Sequence, residues 1–129
     1  MIGICLAAGL IHASLPLSSF TLAWMHSIEK IRWEEDYRIV ASKPPRLILS
    51  EARILGTGAG MEPPPDAVFK DGVWHYHPAL APLKELRLTQ SPFTKGYELC
   101  SAGHCRLLAD YLPGIAKITV ITVTPCAVR

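Results

Sequence analysis

The sequence has no basic run and no interleaving of basic with aromatic residues. Its 13 Lys and Arg are scattered among 11 Asp and Glu over 129 residues, for a formal net charge of +2. Phosphate recognition needs a concentrated positive surface, so this pattern argues against nucleic acid as a partner. Also missing are Gly-x-Ser-x-Gly, Gly-Lys-Ser/Thr, an EF-hand loop and Cys-x-x-Cys. Without them the serine-nucleophile elbow, the phosphate cradle and the usual calcium and zinc frameworks have no sequence support. A glycine-rich stretch, Gly56-Thr57-Gly58-Ala59-Gly60, does exist, but its spacing is not Gly-x-Gly-x-x-Gly. Pro63-Pro64-Pro65 follow it and forbid the helix whose N-terminus would hold a phosphate, so no nucleotide is expected. Positive-φ backbone at a functional or strained loop is the better reading of this segment.

Charge is absent from one whole region: residues 1–28 hold no Asp, Glu, Lys or Arg. A secretory signal would carry a basic n-region and a small-x-small cleavage site, and neither is clear here. A membrane span needs about 20 predominantly apolar residues, and His12, Ser14, Pro16, Ser18 and Ser19 interrupt the run. The third reading is two buried strands, Ile2–Ala8 and Ile11–Leu15, turning at Gly9. It is preferred because Cys5 would then have a structural partner late in the chain.

Eleven prolines, most of them between short apolar stretches, leave little room for long helices. What remains is strand-like. From Phe20 to Ile28, Phe20, Leu22, Trp24, His26 and Ile28 alternate with Thr21, Ala23, Met25 and Ser27. Trp33 to Val40 puts Trp33, Glu35, Tyr37 and Ile39 on one face. Leu47 to Leu55 puts Leu47, Leu49, Glu51, Arg53 and Leu55 on one face. Val68–Phe69 and Val73–Tyr76 flank Asp71-Gly72, a strong hairpin signal. Leu83–Thr89, Tyr97–Cys100, Arg106–Leu108 and Ile118–Thr124 complete the strands, with one helical turn near Ala109–Leu112. There is no internal repeat and no linker, so residues 1–129 are expected to form one domain. Its expected class is all-β: a β-sandwich or open barrel of short antiparallel strands.

The four cysteines are Cys5, Cys100, Cys105 and Cys126. An even count in a small chain is compatible with two disulfides. Cys100 and Cys105 flank Ser-Ala-Gly-His, which suits a hairpin stapled at its mouth, and a Cys5–Cys126 bond would close nearly the whole chain. A zinc site using Cys100, His104 and Cys105, or four free thiols in a cytosolic protein, are the competing readings.

The densest polar cluster runs from His26 to Asp36. The alternation puts His26 and Glu35 on apolar faces of neighbouring strands, where they would pair. Such a pair serves either as an acid–base couple or as a ligand contact. A satisfied core histidine beside a solvated charge run is the bland alternative. The contact candidates are His26, Ser27, Glu29, Trp33, Glu35, Gly58, Gly60, Met61 and Glu62. Glu29, Glu34, Glu35, Asp36 and Glu62 would suit a hard cation only if they converged, and Lys30, Arg32 and Arg38 would neutralise them. His75 and His77 share a strand face but have no third ligand nearby. No metal site and no cofactor is expected.

Four stretches carry a family resemblance: Phe20 to Lys30, Trp33 to Tyr37, Glu51 to Pro65 and Tyr97 to Leu107, together with Cys-Leu-Ala-Ala-Gly at residues 5–9. In this order they resemble the bacterial domain of unknown function numbered 1850. Cysteines at matching places in that family fit the disulfide reading. The family resemblance implies no established activity. By genomic association it implies a place beside TRAP-type transporters, whose solute-binding component is periplasmic. The expectation is a non-catalytic accessory or binding module, periplasmic or envelope-associated, with a TRAP-type transporter subunit or its solute-binding protein as partner. A small enzyme using His26 and Glu35, or a metal-binding domain, is the alternative.

Overall fold

The structure, a computed structural model, describes residues 1–25, 31–56 and 65–128. Its strands are β1 Ile2–Ala8, β2 Ile11–Leu15, β3 Ser19–Met25, β4 Arg32–Val40, β5 Arg46–Leu55, β6 Val68–Lys70, β7 Val73–Tyr76, β8 Leu86–Gln90, β9 Glu98–Ser101, β10 His104–Leu107 and β11 Thr119–Ala127. One 3₁₀ turn, Leu108–Tyr111, stands where a helical turn was expected. All strand pairs are antiparallel and fall into two sheets. The smaller has the order β2-β1-β11-β8 and the larger β10-β9-β3-β4-β5-β7-β6. The sandwich alternative therefore holds, and the described strands close no barrel.

Residues 2–15 form the expected β1–β2 hairpin, which turns at Gly9 with φ +59°. Asp71 (φ 52°) and Gly72 (φ 78°) supply the paired positive-φ positions that let a two-residue turn follow the strand twist. The strand expected from Leu83 begins instead at Leu86. Leu83 exchanges two 2.8 Å backbone hydrogen bonds with Leu47 and so ties the larger sheet to the approach to β8.

The inner faces meet over Ile4, Leu6 and Ala8 of β1, Ile121 and Val123 of β11, and Phe20, Leu22, Tyr37, Leu47, Leu49 and Leu99 of the larger sheet. Leu108 of the 3₁₀ turn and Leu112 just after it, both fully buried, join this cluster. A buried aliphatic side chain of this kind contributes about 1.5–3 kcal/mol. These contacts are the main adhesive of the sandwich.

One expectation is corrected. Leu47, Leu49, Glu51, Arg53 and Leu55 do not share a face. Asp36 pairs with Glu51 but Tyr37 pairs with Leu49, so β5 carries one extra residue, Ser50, opposite β4. This bulge shifts the alternation. Leu47, Leu49, Ala52 and Ile54 are buried, while Glu51 and Arg53 turn to the outer face. Uniform alternation would have placed a carboxylate and a guanidinium in the core, where desolvation is costly.

The Cys5 and Cys126 sulfurs are bonded at 2.10 Å, and those of Cys100 and Cys105 at 2.00 Å. No cysteine is free, so neither the zinc nor the free-thiol reading of these residues applies. Cys5–Cys126 joins β1 to β11 across 121 residues of chain. Loop-closure entropy makes such a bond worth about 4–5 kcal/mol. Replacing both Cys5 and Cys126 by Ser is expected to lower unfolding stability by up to that amount, read as a fall in the urea midpoint. An unchanged midpoint would show that the β1–β11 ladder alone sets the stability.

Candidate functional site

Pairing in the larger sheet sorts its residues into two surfaces. On the inner surface, Leu22, Glu35, Ala52 and Tyr76 form one cross-strand row. Trp24, Trp33, Ile54, Trp74 and Phe69 form the next. Aromatic rings dominate this end. Trp24 stacks on Trp33 with centroids 6.1 Å apart and meets Tyr97 at 5.6 Å. Phe69 stacks on Trp74 at 4.9 Å, and Phe20 on Tyr37 at 5.5 Å. Such pairs add stability beyond their area.

Glu35 is a half-buried carboxylate within this aromatic wall. Tyr37 donates its hydroxyl to Glu35 Oε1 at 2.9 Å. No Arg, Lys or His among the described residues forms an ion pair with it, Arg32 and Arg38 included. Burial pushes the Glu35 carboxyl above the usual range, and the Tyr37 hydrogen bond only partly opposes this. Burial also raises Tyr76 and Tyr97, and the nearby Glu35 charge adds to both shifts.

The outer surface is built differently. Arg53 grips Asp36 through two bonds of 2.6 and 2.7 Å, Glu34 through Nε at 3.0 Å, and Glu51 at 3.0 Å. Arg32 donates to Glu34 at 2.9 Å and to Glu98 at 3.0 Å. Thr21 donates to Asp36 at 2.7 Å. The Arg53 bonds hold the Asp36 carboxyl below its usual range despite burial. At Glu34 burial pulls upward, but Arg32 and Arg53 outweigh it and the net shift is down. A groove of about 440 Å³ lies along this face, lined in part by Thr21, Asp36, Arg38, Ser50 and Arg53.

Of the sequence candidates, Trp33 and Glu35 come together on the inner surface. His26, Ser27, Glu29, Gly58, Gly60, Met61 and Glu62 lie outside the described residues. So does the His26 half of the acid–base pair. Gly56, which opens the glycine stretch, takes φ +146°, and a Cβ there would lie 3.2 Å from Ile31, so this position does require glycine. Glu35 points away from Glu34 and Asp36, so these three consecutive carboxylates do not converge on a cation. Among the described residues no group of three or more His, Cys, Asp or Glu is placed to hold a metal ion. His75 bonds Glu51 and His77 bonds the Ser50 carbonyl, both through Nδ1 at 2.9 Å. Sequence reasoning missed Tyr76, Tyr97 and the Arg53 hub. Only strand order brings Tyr76 and Tyr97 to Glu35, and Arg53 was hidden by the uncorrected alternation.

Residues 20–108 match the family described as a domain of unknown function (DUF1850). The chain belongs to this family. The DUF1850 match spans β3 to the 3₁₀ turn and thus contains both surfaces of the larger sheet. No curated protein and no solved structure matches the chain.

Adjacent residues should therefore titrate in opposite senses. The stability from Asp36, whose folded value is depressed, is present above the usual carboxylate range near pH 4 and is lost as pH falls through that folded value. Glu35 is raised, so it favours the fold at low pH, and this contribution is lost as pH rises through its folded value. Glu35→Gln is expected to raise Tm at pH 7, with the gain vanishing below about pH 4. Asp36→Asn is expected to lower Tm at pH 7, with the loss shrinking on acidification. Thermal melts from pH 3 to 8 decide this, and no gain for Glu35→Gln at pH 7 would contradict the burial assignment. Arg53→Met removes the hub from three carboxylates. It should cost on the order of 2 kcal/mol, read by urea unfolding.

Proposed function

We propose that this DUF1850 domain is a non-catalytic binding or accessory module of the bacterial cell envelope, working with TRAP-type solute uptake. The observation that carries the binding reading is Glu35: a carboxylate held half-buried by aromatic rings, against its own solvation, with no cation beside it among the described residues. Burying an ionisable group in this way is costly, and such groups gather at binding and catalytic sites. Tyr and Trp rings supply rigid contact area at low conformational cost. The two disulfides support an oxidising compartment. The transporter link rests on the genomic association that the family resemblance implies. The partner is a TRAP-type transporter subunit or its solute-binding protein, and Trp33 and Glu35 belong to the contact surface.

A second reading has one observation in its favour. A carboxyl raised by burial is what a general acid needs at neutral pH, so an enzyme pairing Glu35 with His26 is the alternative.

Chemical cross-linking and co-purification from the native envelope, with non-reducing mass spectrometry on the same sample, tests the first reading. Recovery of the transporter subunit or solute-binding protein is expected, with both disulfides intact. The Trp33→Ala and Glu35→Gln variants should recover about tenfold less, as losing a 1.4 kcal/mol contact implies. Recovery from the cytosol with four free thiols would remove the reading.

A further inference from the structure

The two disulfides stand in different surroundings. Cys5–Cys126 lies in the smaller sheet, and neither of its cysteines is fully exposed. Cys100–Cys105 bridges β9 to the edge strand β10, and Cys105 is exposed. On the same outer face the Arg32 guanidinium reaches over the bond. Its Nη2 lies 3.8 Å from Cys100 Sγ and 3.7 Å from Cys105 Sγ. Arg32 is not a loose surface side chain, since Glu34 holds its Nε and Glu98 its Nη1. Both cysteines also line a groove of about 230 Å³, shared with Thr21, Glu34 and Arg53. A staple needs neither a fixed cation at its sulfurs nor an open approach to them.

We propose that Cys100–Cys105 is a thiol–disulfide exchange site whose substrates are small polar dithiols or the paired thiols of a reducing protein. One thiolate of the dithiol attacks the Sγ of Cys105, the more exposed residue of the pair. The Cys100–Cys105 bond breaks, and its electron pair leaves on Cys100 Sγ as a thiolate beside Arg32 Nη2. The second thiol of the reductant then attacks its own sulfur in the mixed disulfide and releases Cys105 as a thiolate. The dithiol ends as a disulfide, having lost two electrons. The cysteine pair gains those two electrons, and the two protons of the dithiol pass to the cysteines or to solvent. Exchange runs faster when the leaving thiol has a lower pKa, and a guanidinium in contact with sulfur favours the thiolate. Glu34, Glu98 and Arg53 also face this region. The two carboxylates oppose a thiolate, but each is hydrogen-bonded to an Arg32 nitrogen, and among the described residues Arg32 is the charged group that bonds the sulfurs. This inference is independent of the transporter reading.

Limiting dithiothreitol on the intact protein, with timed alkylation and mass mapping, tests it. Cys100–Cys105 is expected to open at least about tenfold faster than Cys5–Cys126. Arg32→Gln should slow the first by about threefold or more, because a leaving thiol of higher pKa leaves more slowly, and leave the second unchanged, while Arg32→Lys should recover part of the rate. Equal opening of the two bonds, or an Arg32→Gln rate equal to wild type, overturns the proposal. If Arg32→Gln does not fold, the pH profile of iodoacetamide alkylation of the selectively reduced wild type decides. An apparent Cys100 pKa below the free-thiol value of about 8.5 supports the proposal, and one at or above it overturns it.

Discussion

A strand that keeps apolar side chains inward along its whole length, yet whose apolar positions fall out of step halfway, must slip by one residue at that point. In β5 the extra residue Ser50 makes that change. Upstream of it, Leu47 and Leu49 fill the space between the sheets. Downstream, Ala52 and Ile54 take over the inner positions, and Glu51 and Arg53 are turned outward. The Arg53 hub and the row that joins Glu35 to Tyr76 both depend on this one register shift. Ser50 is itself tied to the neighbouring strand, since its hydroxyl donates to the Asp36 carbonyl at 3.2 Å.

The result is a sheet with two chemically separate surfaces. Glu34, Glu35 and Asp36 are consecutive in sequence, yet strand alternation sends the middle one into an aromatic wall and its neighbours into guanidinium contacts. Identical chemistry meets opposite electrostatics across the thickness of one backbone. The outer carboxylates are held ionised by fixed partners. The inner one is penalised for ionising, and that penalty marks it as the side chain whose placement is least explained by folding alone.

Much of the architecture was legible because period-two alternation and turn chemistry are local. Gly9, Asp71-Gly72 and the Cys100–Cys105 hairpin each sit where a few neighbouring residues dictate the backbone. Glu35, Trp33 and Tyr37 sharing a face followed from the same rule. The bulge did not, because an inserted residue leaves no mark in the hydrophobic pattern beyond an apparent mixture of polar and apolar positions. The neighbours of Glu35 were equally hidden. Tyr97 and Tyr76 lie 62 and 41 positions further along the chain, and they arrive through strand order, which alternation does not encode. Arg32 over the β9–β10 disulfide belongs to the same class, for the bond was expected but its cationic companion on a distant strand was not.

An open sandwich has four sheet margins, here β2, β8, β6 and β10, and among the described strands each has a ladder partner on one side only. Three of them carry an exposed cationic side chain, Arg87 on β8, Lys70 on β6 and Arg106 on β10, and β2 carries the exposed polar ring of His12. Two copies meeting margin to margin would have to bring such groups together and strip their water to extend a ladder. Such side chains work against growth of a ladder from copy to copy, although no margin is capped by a helix among the described residues.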